Sequence, residues 1–241
     1  MLSISSNHVV RAILFDVDGT LVDSVPQCVA GLGDTFETFG DRRPSDDEIR
    51  AMIGMPLTAQ LKRFGCDKHP IEMLIEHTIG RYEVHENLAQ EFSGSTKALQ
   101  LAFESGIKTA FVTSRNSVEL QHLKEKYSGW KYSNAQICAS HVPEPKPAPD
   151  SALLAMKQLG VEPDETVMIG DSIYDLRCAK SAGIRCGAVL YGSGEREALI
   201  AETPNYIFET ESDLQEWVIE QTEHSHATEE DRNRFEFRHS G

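Results

Sequence analysis

Val9-Val10-Arg11-Ala12-Ile13-Leu14-Phe15-Asp16-Val17-Asp18-Gly19-Thr20 sets an apolar run directly against a polar turn. A short apolar run that stops abruptly predicts a buried strand, Val9 to Phe15, delivering polar residues at its carboxyl end. In extended chain, residues i and i+2 point the same way, so Asp16 and Asp18 can address one pocket. Asp-Gly by itself also favours an ordinary turn. The other strand ends decide between the two.

Working outward, three runs resemble the first. Ile107 to Val112 ends at Thr113-Ser114, Val167 to Ile169 at Gly170-Asp171, and Cys186 to Leu190 at Tyr191-Gly192. Helix-length segments lie between them: Ser95 to Ser105, Ser117 to Tyr127, Asp150 to Leu159 and Asp175 to Ala182. Strands alternating with helices predict a parallel, Rossmann-like α/β sheet with helices on both faces. Open sheets of this kind bind ligands beyond the carboxyl ends of their strands, where these polar residues collect.

Val25 to Leu88 breaks the alternation and reads as mainly helical. Ser45-Asp46-Asp47-Glu48 fits a capping box, Gly40 and Gly65 look like helix stops, and Pro70 can open the segment Ile71 to Leu88. These features predict a small helical cap domain, residues 21–92, inserted after the first strand of a core formed by residues 9–20 and 93–220. Leu21 to Ser24 and Asn87 to Gly94 are the expected hinges. Residues 221–241 form a polar, charge-dense tail expected to add nothing to the core.

Over 241 residues, 40% hydrophobic and 25% charged, the composition is that of a soluble globular protein with room for a core and an accessory domain. Neither an apolar span nor a secretory leader is evident, so a cytoplasmic setting is expected. Five scattered cysteines without a CxxC pair suggest neither a disulfide framework nor zinc. A net charge of -15 opposes nucleic acid and anionic lipid as partners and also repels anionic substrates at long range. An enzyme of this charge that handles phosphate has to concentrate positive charge in its pocket.

Asp171 stands at a strand terminus and Asp175 one helical turn later. Carboxylates converging at one sheet edge repel unless a cation sits among them, and oxygen-only ligands favour magnesium. Each acid alone reads equally well as a helix cap. Lys146 lies in the proline-rich loop Pro143 to Asp150, whose stiffness can hold an ammonium against a phosphoryl group. Thr113 and Ser114 close a strand with hydroxyls and amides at a helix entry, a place suited to an anion. A solvated lysine and a simple cap are the ordinary alternatives for these three.

Taken together, the four segments resemble the haloacid dehalogenase-like hydrolase superfamily, from about Val10 to Glu220. The motifs are DxDGTLxDS at Asp16 to Ser24, a second ending at Thr113, Lys146 in its KPxPD context, and GDSxxD containing Asp171 and Asp175. The resemblance implies that Asp16 attacks phosphorus, that Asp18 protonates the leaving oxygen and then activates water, and that Thr113, Ser114 and Lys146 hold the phosphoryl group. It further implies Mg²⁺ bound by the Asp16 carboxylate, the Asp18 backbone carbonyl and Asp171, with Asp175 acting directly or through water. Asp18 has to exchange a proton, so its environment is expected to raise its pKa.

Cap position and the wording around Lys146 resemble the phosphoglycolate phosphatase-like group, whose caps carry a substrate-facing loop where Gly54, Met55 and Pro56 stand. A small phosphorylated metabolite is the expected substrate, with phosphoglycolate first and pyrophosphate or a sugar phosphate next. A phosphomutase, here of the β-phosphoglucomutase type, would share every core residue. Asp18 argues against a dehalogenase and a phosphonatase, and the complete motif set argues against a silent binding protein. A monomer or homodimer is expected. His69, His77 and His85 read as a polar helix face.

Overall fold

Residues 9–238 are described by the structure, a computed structural model, with side chains described to residue 224. The first strand, β1 (Ala12–Phe15), is buried along its whole length. After the turn come the short β2 (Val22–Asp23) and four helices, α1 (Val25–Phe39), α2 (Asp46–Arg50), α3 (Leu57–Gln60) and α4 (Ile71–Val84). The chain returns through β3 (Gln90–Glu91), which pairs antiparallel with β2 at the two connections between the helical insertion and the sheet. Alternation then resumes with α5 (Ser93–Glu104), β4 (Lys108–Val112), α6 (Ser117–Lys126), β5 (Ala135–Ile137), α7 (Asp150–Leu159), β6 (Thr166–Gly170), α8 (Ile173–Ser181), β7 (Arg185–Val189), α9 (Arg196–Ala201), β8 (Tyr206–Phe208) and α10 (Glu211–Arg238).

The six long-range strands form one parallel sheet in the order β5-β4-β1-β6-β7-β8. Phe15 of β1 lies opposite Phe111 of β4 and Ile169 of β6. This register aligns three strand ends, so Asp16, Thr113 and Asp171 emerge at one edge. The chain leaves β1 toward β4 and later crosses back to β6, making that edge the topological switch point where open sheets bind ligands.

Side-chain alternation divides the core into two faces. Ile13, Phe15, Phe111 and Ile169 pack against Ala98 and Leu99 of α5, Leu120 of α6 and Trp217 of α10. Ala12, Leu14, Val112 and Met168 pack against Ala155 of α7, Leu176 of α8 and Leu199 of α9. A third cluster, including Leu32, Phe36, Ile49, Met52 and Leu74, is confined to the helical insertion. Ser45 and Glu48 form the expected capping box, and Gly65 takes the left-handed conformation at the end of its turn, φ 87°.

Several details depart from expectation. The edge strands β5 and β8 are three residues each, too short for an apolar run to announce them. The polar tail does not begin with a break: α10 runs unbroken across residue 221, while side chains beyond residue 224 lie outside the described residues. His77 and His85 turn toward α1 rather than forming a polar face, His77 reaching the Thr35 hydroxyl at 3.2 Å and His85 the Asp34 carboxylate at 2.9 Å. His69 precedes α4 and packs edge-on against Phe39.

Candidate active site

Asp16 leaves β1 with its amide still donating to the Ile169 carbonyl at 2.8 Å, so the sheet fixes its backbone. The residue is 5% exposed, and its carboxylate accepts from Lys146 Nζ at 2.6 Å. The same ammonium donates to Asp175 Oδ1 at 2.7 Å and to the Val112 carbonyl at 3.0 Å, so all three of its N–H groups are used. Burial works against the charge on Lys146. Asp16 and Asp175 outweigh it and hold the ammonium protonated well above its usual range.

Asp16, Asp171 and Asp175 can bring one carboxylate oxygen each within 4.8 Å of the others. Against these three buried acids stands the ammonium of Lys146, the one buried ammonium among the described residues. Burial first, then the repulsion of Asp175, lifts Asp16 far above the usual carboxylate range. Asp171 is pushed up to about 7 by the same two causes, against hydrogen bonds from Ser193. Acids so placed resist ionisation until a cation joins them, and their oxygen-only donor set fits magnesium.

Asp175 serves two purposes at once. Its Oδ2 accepts from the Ser172 amide at 3.0 Å and from the Ser172 hydroxyl, completing the capping box that starts α8, while Oδ1 holds Lys146. Asp171 is gripped by the loop Gly192-Ser193-Gly194, with the Ser193 amide and hydroxyl donating to Oδ2 at 2.7 Å and 2.6 Å. The loop needs its glycines: a Cβ on Gly194 would lie 1.9 Å from the Asp171 carbonyl oxygen.

The family model described as haloacid dehalogenase-like hydrolase matches residues 13–189, a span holding all of these acids and Lys146. The chain belongs to the haloacid dehalogenase-like hydrolase family. It is 27% identical to Phosphoglycolate phosphatase 1 of Pseudomonas aeruginosa, over 85% of this chain and 78% of that one. To Pyrophosphatase PpaX of Bacillus velezensis it is 29% identical, over 85% and 94%. A solved hydrolase from Pseudomonas syringae superposes with a TM-score of 0.75 at 25% identity, covering 87% of this chain and 98% of that one.

Within this haloacid dehalogenase-like hydrolase, Asp18 departs from expectation. Arg115 grips it with two hydrogen bonds and Ser24 Oγ donates to it as well. Burial alone would raise its pKa, but the Arg115 charge and the hydrogen bonds from Arg115 and Ser24 prevail and hold the carboxyl below its usual value. The expected upward shift is therefore corrected to a downward one. Thr113 is buried at the end of β4, its amide donating to the Ile137 carbonyl at 2.9 Å and its Oγ1 accepting from the Arg115 amide at 3.1 Å.

Ser114 Oγ reaches across to the helical insertion, donating to the Gly54 carbonyl at 2.7 Å. Gly54, Met55, Ile53, Leu57 and Gln60 roof a cavity of about 40 Å³ whose floor includes Asp16 and Asp18. Pro56 instead starts α3. Arg115, Glu119 and Tyr82 line this cavity and also a second one of about 170 Å³ between α4 and α6. Arg115, Ser193 and Glu119 were not singled out from the sequence. Arg115 follows Thr113-Ser114 directly, and its nearness to that motif was the one available signal.

Proposed function

We propose that the chain is a magnesium-dependent phosphohydrolase that forms an aspartyl-phosphate on Asp16, with a helical cap, residues 21–92, closing over a core of residues 9–20 and 93–220. The observation carrying this is the meeting of Asp16 with Lys146, Asp171 and Asp175 at one sheet edge. Asp16 attacks phosphorus as the bond to the leaving oxygen breaks, and Asp18 gives that oxygen its proton. Asp18 then takes a proton from the water that attacks phosphorus, releasing phosphate and restoring Asp16.

Lys146 neutralises the Asp16 carboxylate on approach to an anionic phosphoryl group, which carboxylate nucleophiles require. The Thr113 hydroxyl hydrogen has no acceptor among the described residues, leaving it for a phosphoryl oxygen. Ser114 adds an amide at the same turn. Asp16, Asp171 and the Asp18 backbone carbonyl would hold the magnesium, which when bound supplies the charge that offsets nucleophile and phosphoryl oxygens together. Both oxygens of Asp175 already accept hydrogen bonds, which favours action through water over direct ligation.

A small phosphorylated metabolite is the proposed substrate. Phosphoglycolate and pyrophosphate are candidates because relatives carry both names, and a sugar phosphate is the third. The test is Asp16→Asn, which should lower p-nitrophenyl phosphate hydrolysis at least about a thousandfold while the melting temperature stays near wild type. Substantial turnover by that variant, or full activity in excess chelator, would refute the reading.

A further inference from the structure

Tyr82 of α4, with Arg115 and Glu119 at the entry to α6, forms a wall common to the cavity over Asp16 and Asp18 and the larger one between α4 and α6. Both sides of that wall are fixed. Tyr82 is seated against Gly31 of α1, where a Cβ would come within 2.5 Å of its ring, and Gln27 Nε2 donates to its carbonyl at 2.7 Å. Arg115 is held by Asp18. A cavity of about 150 Å³ lined by aliphatic and aromatic side chains takes up benzene. At about 170 Å³ the second cavity is ring-sized, whereas the first, at about 40 Å³, holds far less. Val22, Ile79, Ala89, Leu123 and the Tyr127 ring line the larger one with apolar surface. The charged side chains beside them have partners already: Glu83 meets His122 at 3.5 Å, Glu86 meets Lys126, and Glu91 accepts from the Ser128 amide and hydroxyl at 2.8 Å and 2.7 Å.

We propose that the cavity between α4 and α6 is the distal part of the substrate site, receiving the apolar body of the leaving group while the phosphoryl group sits over Asp16. The inference rests on the phosphatase reading and extends it to a substrate class: a phosphate monoester of an alcohol that carries a ring or branched chain about the size of benzene. Small-molecule sites are mostly apolar with a few polar groups placed to orient the ligand. Here the polar groups are those of the shared wall, where Tyr82, Arg115 and Glu119 can meet polar atoms near the ester oxygen, and the apolar surface lies beyond it. An occupant touches Ile79 of the helical insertion and Leu123 of the core at once, so its burial also favours a closed cap.

The test compares ethyl, butyl and benzyl phosphate, whose leaving alcohols are of similar basicity, so that the intrinsic chemistry is matched and only the distal group differs. Wild-type kcat/KM should rise along the series, benzyl over ethyl by roughly 10–100-fold. Ile79 lines the larger cavity alone and belongs to none of the three packed clusters, so Ile79→Asp should fold, and the charge it sets in the apolar wall should collapse the ratio toward one. No benzyl preference in the wild type, with p-nitrophenyl phosphate still turned over, overturns the inference without help from any variant. An undiminished ratio in a folded Ile79→Asp protein overturns it too. A wild type that releases phosphate from none of these, nor from p-nitrophenyl phosphate, refutes the phosphatase reading itself, a result distinct from hydrolysis without preference.

Discussion

Arg115 holds Asp18 through a two-point grip, Nε to Oδ2 at 2.8 Å and Nη2 to Oδ1 at 2.6 Å, across 97 residues of sequence. Paired bonds of this kind fix both geometry and charge. A carboxylate held this way is positioned to accept a proton from water but reluctant to carry one to a leaving group. Removing the guanidinium should let the Asp18 pKa rise, so Arg115→Met should move the basic limb of the kcat/KM profile for an alkyl phosphate upward by about one unit or more. An unmoved limb would mean that Asp18 is not the proton donor.

Glu119 offers a check on the electrostatics away from the acid cluster. Burial pushes its carboxyl up to about 7, against the lowering influence of Arg115. Because the folded value is raised, the unfolded chain releases this proton first. The stability contribution is complete below the unfolded carboxylate range and is lost as pH climbs to about 7. The loss is on the order of 3 kcal/mol from this group. Glu119→Gln should therefore stabilise the protein at about pH 8 and flatten the decline seen in denaturant midpoints between about pH 5 and that value. Parallel decline in variant and wild type would contradict it.

The same sign governs the metal-free acids. Asp16 and Asp171 are both raised, so ionising them as pH rises costs folding stability, and a bound divalent cation removes that cost. Magnesium should thus raise the melting temperature more at about pH 8 than at about pH 5. Asp171→Asn should lose most of that increment, a readout independent of turnover. Equal magnesium shifts in variant and wild type would place the ion elsewhere.

The parts of this molecule legible in sequence were those where one residue's surroundings are set locally. β1, β4, β6 and β7 carry apolar stretches such as Ala110-Phe111-Val112 and Val167-Met168-Ile169 because those parts of the strands are covered on both faces, and Asp150 opens α7 where its spacing foretold. β5 and β8 are three residues long and lie at the sheet edges, with Gln136 and Tyr206 only partly buried and Ile207 exposed, so neither makes an apolar stretch long enough to mark a strand. Asp175 shows that two readings can both hold, since one carboxylate caps α8 and binds Lys146. Arg115 and Ser193 escaped notice because their partners, Asp18 and Asp171, are brought to them only by the folded sheet. The direction of the Asp18 shift was misjudged for the same reason: burial was foreseeable, and the guanidinium was not.

The central claim is a covalent bond between Asp16 and phosphorus. Acid quenching during turnover, followed by borohydride reduction and peptide mass analysis, converts an acyl phosphate on an aspartate to homoserine at that position. The expected result is homoserine at residue 16, dependent on substrate and absent from Asp16→Asn. Substrate-dependent conversion at a different aspartate, with Asp16 unmodified, would contradict the account.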